Sequence, residues 1–269
     1  MSIARGSLLT VALMTTGAQA VVTTNNHWRL GEADAGAVNA GAGAASTVDG
    51  VGGFNLSRTG SPTYTALTPA GIGSSLAMAL DGSGAQYQNT SGVASGLTDN
   101  FGVEAWVKSN GNVTGNAAIV YNGNSSVSGW GLYRAGGTWA MLYGGVVLGG
   151  TEPVTTEWTH LALVRDGGVS TVYVNGVATY STTSGLNAPT GGVGIGGNSL
   201  TAGTELFDGA IDEVRFFSFA PGAFSVDDLN LAPPPPPAMV PSMSWLGQVL
   251  LGLGLAGLAL IGLGRSRSV

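Results

Sequence analysis

Carboxylate pairs, histidines and aromatic rings are the side chains here whose types and spacing could act on, or hold, another molecule. Retaining glycoside hydrolysis needs a nucleophile and an acid/base about 5 Å apart across the scissile bond, and a Glu-x-Asp-x-x-Glu strand supplies that arrangement. The single Glu-x-Asp in the chain is Glu32-Ala33-Asp34, and Ala37 stands where the third carboxylate would be. Glu104 and Glu213 fall in strand-like segments, where each reads more simply as a rim charge or an arginine's partner. Nucleophilic catalysis has no better footing. Cysteine and Gly-x-Ser-x-Gly are both absent, and the histidines, His27 and His160, sit inside strand motifs, His160 as a half-buried framework residue. Sugar recognition would need rings that stack on pyranose faces, with amides beside them. Trp106, Tyr133 and Trp139 are the leading rings (Trp130, Tyr143 and Tyr173 are others), with Asn122 and Asn124 placed in a loop nearby. Gly-rich acidic loops also suit calcium, which takes six to eight oxygen ligands.

These groups must be carried by elements that a cysteine-free, glycine-rich chain can build. Glycine accounts for 46 of 269 residues and charged residues for only 9%, against a usual glycine share of ~7% and charged share of ~25%. Aromatic and β-branched residues remain plentiful, so many turns between short strands explain the composition better than disorder does. Between residues 21 and 239 six basic side chains face fifteen acidic ones, a balance of −9. Nucleic-acid binding needs clustered Lys and Arg for phosphate contacts, so that class is excluded. Neutral glycans, cations and surface proteins remain as partners.

Apolar alternation with period two recurs along the body and marks half-buried strands. "FGVEAWVKS" puts Phe101, Val103, Ala105 and Val107 on one face. "EWTHLALVRDGGVSTVYVNGVATYS" reads as three strands joined by turns at Asp166-Gly167-Gly168 and Asn175-Gly176, residues that adopt positive φ readily. Further hairpins are expected around Asp81-Gly82 and Gly136-Gly137, and "FDGAIDEVRFFSFA" offers Ile211, Val214 and Phe216 to a core. Residues 35–53 read as a long surface loop. "SVDDLNL" has a capping-box pattern with Ser225 and Asp228, enough for a short helical turn. Short strands at this spacing, with no sustained helical period, predict a two-sheet antiparallel sandwich.

The order of these motifs resembles that of laminin-G-like, concanavalin A-like jelly-roll domains. "HWRLGEADAG" (His27–Gly36) matches the opening strand, "SLAMALDGSGAQYQ" (Ser75–Gln88) the Leu-x-Phe-Asp-Gly strand, and "NFGVEAWVK" (Asn100–Lys108) the strand bearing Trp-Val. "EWTHLALVRDGGVSTVYVNGV" (Glu157–Val177) matches the Trp-x-His hairpin, and "GIGGNS" with "FDGAIDEVRFFSFA" (Gly194–Ala220) the Ile-Asp-Glu-Val-Arg ending. The resemblance implies an all-β jelly roll over residues 21–232. It also implies a calcium site between the loop after the first strand and the late Ile-Asp-Glu strand. Asp212 matches the ligand aspartate, with Asp34 and Asp49 as loop partners, although the usual Asp-x-Ser-Gly loop is diluted into alanine and glycine.

The ends point to export. "MSIARGSLLTVALMTTGAQA" (residues 1–20) has a basic residue, a short apolar run and Ala18-Gln19-Ala20, the pattern of a cleaved signal peptide. At the other end a Pro-rich linker (233–239) leads to an uncharged run, Trp245–Leu263, followed by Arg265 and Arg267. As a helix that run would be about 28 Å long, close to one hydrocarbon thickness, with the arginines on the cytoplasmic side. The tail resembles the IPTL-CTERM class of sorting signals handled by exosortase-type membrane enzymes. Val240, Pro241, Ser242, Met243, Ser244 and Gly247 occupy its motif positions, while Trp245-Leu246 depart from the usual pattern. The whole reads as an exported surface or matrix protein of a Gram-negative bacterium. It would be a non-catalytic module for adhesion to extracellular glycan or protein, held by a C-terminal transmembrane helix until a sorting transpeptidase or protease removes it. A passive matrix protein and a glycoside hydrolase on the same fold are the alternatives.

Overall fold

The computed structural model describes residues 22–231 apart from residue 202. The signal peptide, the Pro-rich linker, the transmembrane helix and the sorting motif expected from sequence lie outside these residues. Among the described residues, no helix is long and apolar enough to cross a membrane.

Among the described residues, sixteen strands form two eight-stranded sheets, with every pairing antiparallel. In the first sheet, β14 (Val177–Thr182), β13 (Val169–Val174), β12 (Thr159–Asp166), β7 (Phe101–Ser109) and β16 (Asp208–Ser218) lie side by side. The far edge of β16 is shared. Its first half pairs with β5 (Ala77–Asp81), which continues to β4 (Thr63–Thr65), and its second half pairs with β1 (Thr23–Trp28). The second sheet runs through β11 (Val146–Pro153), β10 (Thr138–Tyr143), β9 (Ser128–Ala135), β8 (Asn116–Asn124) and β15 (Gly192–Ile195). It ends with β6 (Gln86–Asn89), β3 (Leu56–Thr59) and β2 (Ser46–Thr47).

The alternation read from sequence sets the inner faces. Phe101, Val103, Ala105 and Val107 of β7 meet Trp130, Leu132, Trp139 and Met141 of the other sheet in one core, which Ile211, Val214 and Phe216 of β16 join. Phe101 stacks on Trp130 at 4.3 Å, and Phe216 packs edge-on against both Trp28 and Trp130. Outside the first sheet, Ala162, Val164 and Phe217 form a smaller layer covered by Phe219, Phe224, Leu229 and Leu231. The segment from residue 219 to 231 is therefore a strap over the sheet. Its single 3-10 turn (Val226–Asp228) is capped by Ser225 and Asp228 through the expected reciprocal bonds.

Two local expectations need correction. Asp81-Gly82 does not close a hairpin, because β5 belongs to the first sheet and β6 to the second. The glycine-rich turn hands the chain from one layer to the other, an outcome that depends on which partner strands compete for each segment. Residues 35–53 are more than a surface loop. They contribute β2 and bridges from Ala42 to Thr63 and from Asp49 to Trp28.

Candidate functional site: an acidic niche and an aromatic depression

On β7, Trp106 faces Asp212 of β16, and the next matched pair is Glu104 with Arg215. Two residues of β16 thus stand against one of β7, a β-bulge that redirects side chains. Glu213 lies in the bulge with φ +50°, a left-handed conformation costly for a residue with a Cβ and concentrated at functional sites. Here β16 exchanges its neighbour β5 for β1, so the turn after β1 can approach.

Three carboxylates meet in that gap. Glu32, Asp212 and Glu213 each present an oxygen within 4.8 Å of the others. Asp212 is fully buried: its Oδ1 accepts the Glu213 amide at 2.9 Å, and its Oδ2 has no partner among the described residues. Glu32 Oε1 accepts the Ser75 and Leu76 amides and the Ser74 hydroxyl, while its buried Oε2 is also unpartnered. Glu213 is tied to Arg29 Nε at 2.8 Å and lies 2.6 Å from His27 Nε2.

The electrostatics follow from these partners. Burial, reinforced by the neighbouring Glu213 and Glu32 charges, pushes the Asp212 carboxyl up to about 8. Burial would also raise Glu32, but the Ser75 and Leu76 amides and the Ser74 hydroxyl outweigh it and hold that carboxyl below its ordinary value. Against three carboxylates stands one guanidinium, Arg29, whose Nη2 is 3.9 Å from Glu32 Oε1. When all three are ionised and His27 is neutral the niche has an excess of two negative charges, with two buried oxygens lacking donors among the described residues. A hard divalent cation fits that all-oxygen donor set.

Asp34 and Asp49, expected beside Asp212, are not in this cluster. Asp34 accepts the Val48 amide and the Tyr64 hydroxyl. Asp49 accepts the Asn26 side chain and the amides of His27, Val51, Gly52 and Phe54. Both carboxylates fasten the loop of residues 35–53 to its surroundings. Sequence reasoning weighed Glu32 only as part of a broken hydrolase motif and Glu213 as an arginine's partner. The positive φ of Glu213, invisible in a string of strand residues, is what turns it into the niche.

The aromatic candidates are distributed differently. Trp139 is 2% exposed in the core beside Phe207. Asn122 lies in β8 rather than in a loop; it is fully buried and holds Ala94 and Ser95 through its carboxamide. Tyr133 is on the outer face of the second sheet, but residues 197–201 and 203–206 fold back over it. Glu205 accepts the Tyr133 hydroxyl and, through its carbonyl, the Ala118 amide, and Asn198 bonds Ser125. Gly192 and Gly194 of β15 make room for this cover, since a Cβ there would strike Ser199 and the Gly197 carbonyl.

Trp106 is largely buried as well, 8% exposed, and only a small part of it reaches the surface. On the outer face of the first sheet it borders a depression of about 380 Å³ with Trp158, Asn175 and Leu231. Beside it on the same face, Glu104 is fully buried and bonded to His160 Nε2 at 2.9 Å, to Arg215 and to the Asn230 amide. Burial opposes ionisation of Glu104, but His160, Arg215 and the Asn230 amide prevail and keep its carboxyl below the ordinary range. His160 is thus fully buried rather than half-buried, and both Glu104 and Glu213 are partners of arginines.

Residues 81–226, more than half of the chain, match the family model described as the concanavalin A-like lectin/glucanases superfamily. Comparison with curated proteins returns no match. Among solved structures, domain 4 of AbnA, a GH43 extracellular arabinanase from Geobacillus stearothermophilus, in complex with arabinotriose, is similar with a TM-score of 0.56 at 19% identity. The match covers 79% of this chain and 99% of that one. The botulinum neurotoxin serotype D binding domain gives 0.52 at 16% identity, covering 77% of this chain and 51% of that one. A Trypanosoma rangeli sialidase in complex with 2,3-difluorosialic acid gives 0.53 at 14%, covering 77% and 32%. The chain therefore spans about half of the neurotoxin domain and a third of the sialidase. At these identities the likeness is one of fold alone.

Proposed function

Because the chain belongs to the concanavalin A-like lectin/glucanase superfamily, we propose that it is a non-catalytic recognition module, binding an extracellular glycan or surface protein, with glycan the first choice. One observation carries the reading: the three carboxylates at the centre of the first sheet, Glu104, Asp212 and Glu213, are buried rather than presented at the surface. Glu104 is fully buried and bonded by His160, Arg215 and Asn230; Glu213 is held by Arg29 and His27; Asp212 is fully buried. Hydrolysis of a glycosidic bond requires carboxyl groups that reach a sugar on both sides of that bond. The arabinotriose-bound relative supports a sugar as ligand for this fold, and the sialidase keeps hydrolysis as the competing reading.

Calcium is the cation proposed for the niche, held by Glu32, Asp212 and Glu213. It would neutralise the excess charge and tie the turn after β1 to the bulge of β16. The protein is further proposed to be exported by its N-terminal signal peptide, anchored through residues 245–263 and released by a sorting enzyme acting near residues 240–244.

The test is a panel of neutral polysaccharides and oligosaccharides, scored for both binding and release of reducing ends. Binding without turnover supports the reading. Turnover that disappears in Glu213→Gln would make the protein a hydrolase instead. Intact mass of surface-extracted protein examines the tail, and a full-length C-terminus would leave a plain anchor.

A further inference from the structure

We infer that the depression between Trp106 and Trp158 is the sugar-binding site, taking one face of a neutral sugar ring; this rests on the glycan-binding reading above. Trp158 precedes β12, and His160 of that strand pairs with Trp106. Residues two apart on a strand share a face, so Trp158, His160 and Trp106 project from the same side of the first sheet.

The site is held rigid from below. Trp106 donates its indole N–H to the Asn230 carbonyl at 3.0 Å and packs edge-on against His160 at 5.3 Å. Glu104 fixes His160 in turn. Asn175, at φ +50° in the turn after β13, is latched twice to His160: its amide donates to the His160 carbonyl, and its Oδ1 accepts the His160 amide. With Oδ1 engaged, the Asn175 carboxamide nitrogen has no acceptor among the described residues. The Trp158 indole nitrogen likewise has no acceptor among the described residues.

The lining dictates the ligand's chemistry. None of the four lining residues is charged, and the nearby Glu104 carboxylate is fully buried, so the lining offers neither an anion nor a cation a counter-charge. The half-buried Trp158 ring, the small exposed part of Trp106 and two N–H donors without acceptors among the described residues suit a molecule with an apolar face edged by oxygen acceptors. A sugar ring has that construction: C–H groups on its faces, hydroxyls at its rim. The volume, about 380 Å³, is at the small end of ligand sites, which run from about 300 to 1,000 Å³.

The experiment titrates the full chain and its Trp158→Ala and Trp158→Phe variants with neutral arabino-, xylo- and gluco-oligosaccharides by calorimetry. Indole N–H resonances of the wild type are followed in parallel. The expected result is affinity at least tenfold weaker in Trp158→Ala, largely recovered in Trp158→Phe, and a wild-type Trp158 N–H resonance that moves on saturation. If an oligosaccharide binds the wild type with the Trp158 resonance unmoved, or binds Trp158→Ala with unchanged affinity, the depression is not the site, although the glycan reading stands. If no oligosaccharide binds the wild type, the glycan reading falls and takes the inference with it. The resonance measurement decides the matter even where Trp158→Ala fails to fold.

Discussion

Glu104 and Asp212 are carboxylates on adjacent strands of one sheet, both fully buried, yet their environments drive them in opposite directions. Glu104 receives an imidazole, a guanidinium and a backbone amide, and its carboxyl is held low. Asp212 receives the Glu213 amide and an influence from the Ser74 hydroxyl, which bonds Glu32, but burial and two neighbouring carboxylates outweigh them and its carboxyl rises to about 8. Burial penalises the charged form in both cases; the inventory of donors decides which way each group goes. The complete set makes Glu104 a structural hub, whereas the incomplete set leaves Asp212 with an unmet demand for a proton or a cation.

The largest effect expected from this contrast is in Glu104→Ala. It leaves Arg215 and His160 facing an empty buried space and releases Asn230, so a loss of about 3–5 kcal/mol is expected, read as a lowered urea midpoint. A loss below about 1 kcal/mol would break the comparison, because Glu104 would then be no hub.

Calcium comes next. At a concentration one hundred times its Kd, a ligand that binds only the native state adds about 2.7 kcal/mol. The wild type should melt higher in calcium than in EDTA, and Asp212→Asn should not respond. Identical melting of the wild type in both would remove the cation from the niche.

The pH dependence should separate the two groups by sign. The folded Glu104 carboxyl lies below its ordinary value, so its contribution is present above about pH 4.5 and lost as pH falls through the folded value. The folded Asp212 carboxyl lies above its ordinary value, so its contribution is complete below about pH 4 and lost as pH rises toward 8. In EDTA, stability should therefore decline between about pH 5 and 8, and Asp212→Asn should flatten that decline. A profile in that window identical in the wild type and the variant would contradict the assignment.

The smallest effect sharpens the account of the strap that Glu104 holds. Ser225→Ala removes the cap of the 3-10 turn and should cost about 0.5–1 kcal/mol, measured by denaturant unfolding. A loss comparable to that of Glu104→Ala would move the anchor of the strap from Asn230 to its turn.

Much of the fold was legible in the residues. The alternation Phe101, Val103, Ala105, Val107 named one inner face, and the turns at Asp166-Gly167 and Asn175-Gly176 join β12, β13 and β14 as their types require. The Asp81-Gly82 turn was misread as a hairpin because a turn signal is local, whereas the choice of partner strand is made across the sandwich. The site was less legible for a related reason. Asp34 stands two residues after Glu32 and Asp49 seventeen, and nothing in residue type distinguishes a carboxylate that will be saturated by amides from one that will not.

The sequence alone determined the architecture of two antiparallel layers, since period-two burial and positive-φ turns are properties of short segments. Which groups meet was decided only in three dimensions. The bulge at Glu213, the exchange of β5 for β1 along β16, and the pairing of β12 with β7 bring Glu32 to Asp212 and Trp158 to Trp106. Those encounters join distant parts of the chain, and local preferences carry no information about them until the sheets have closed on their core.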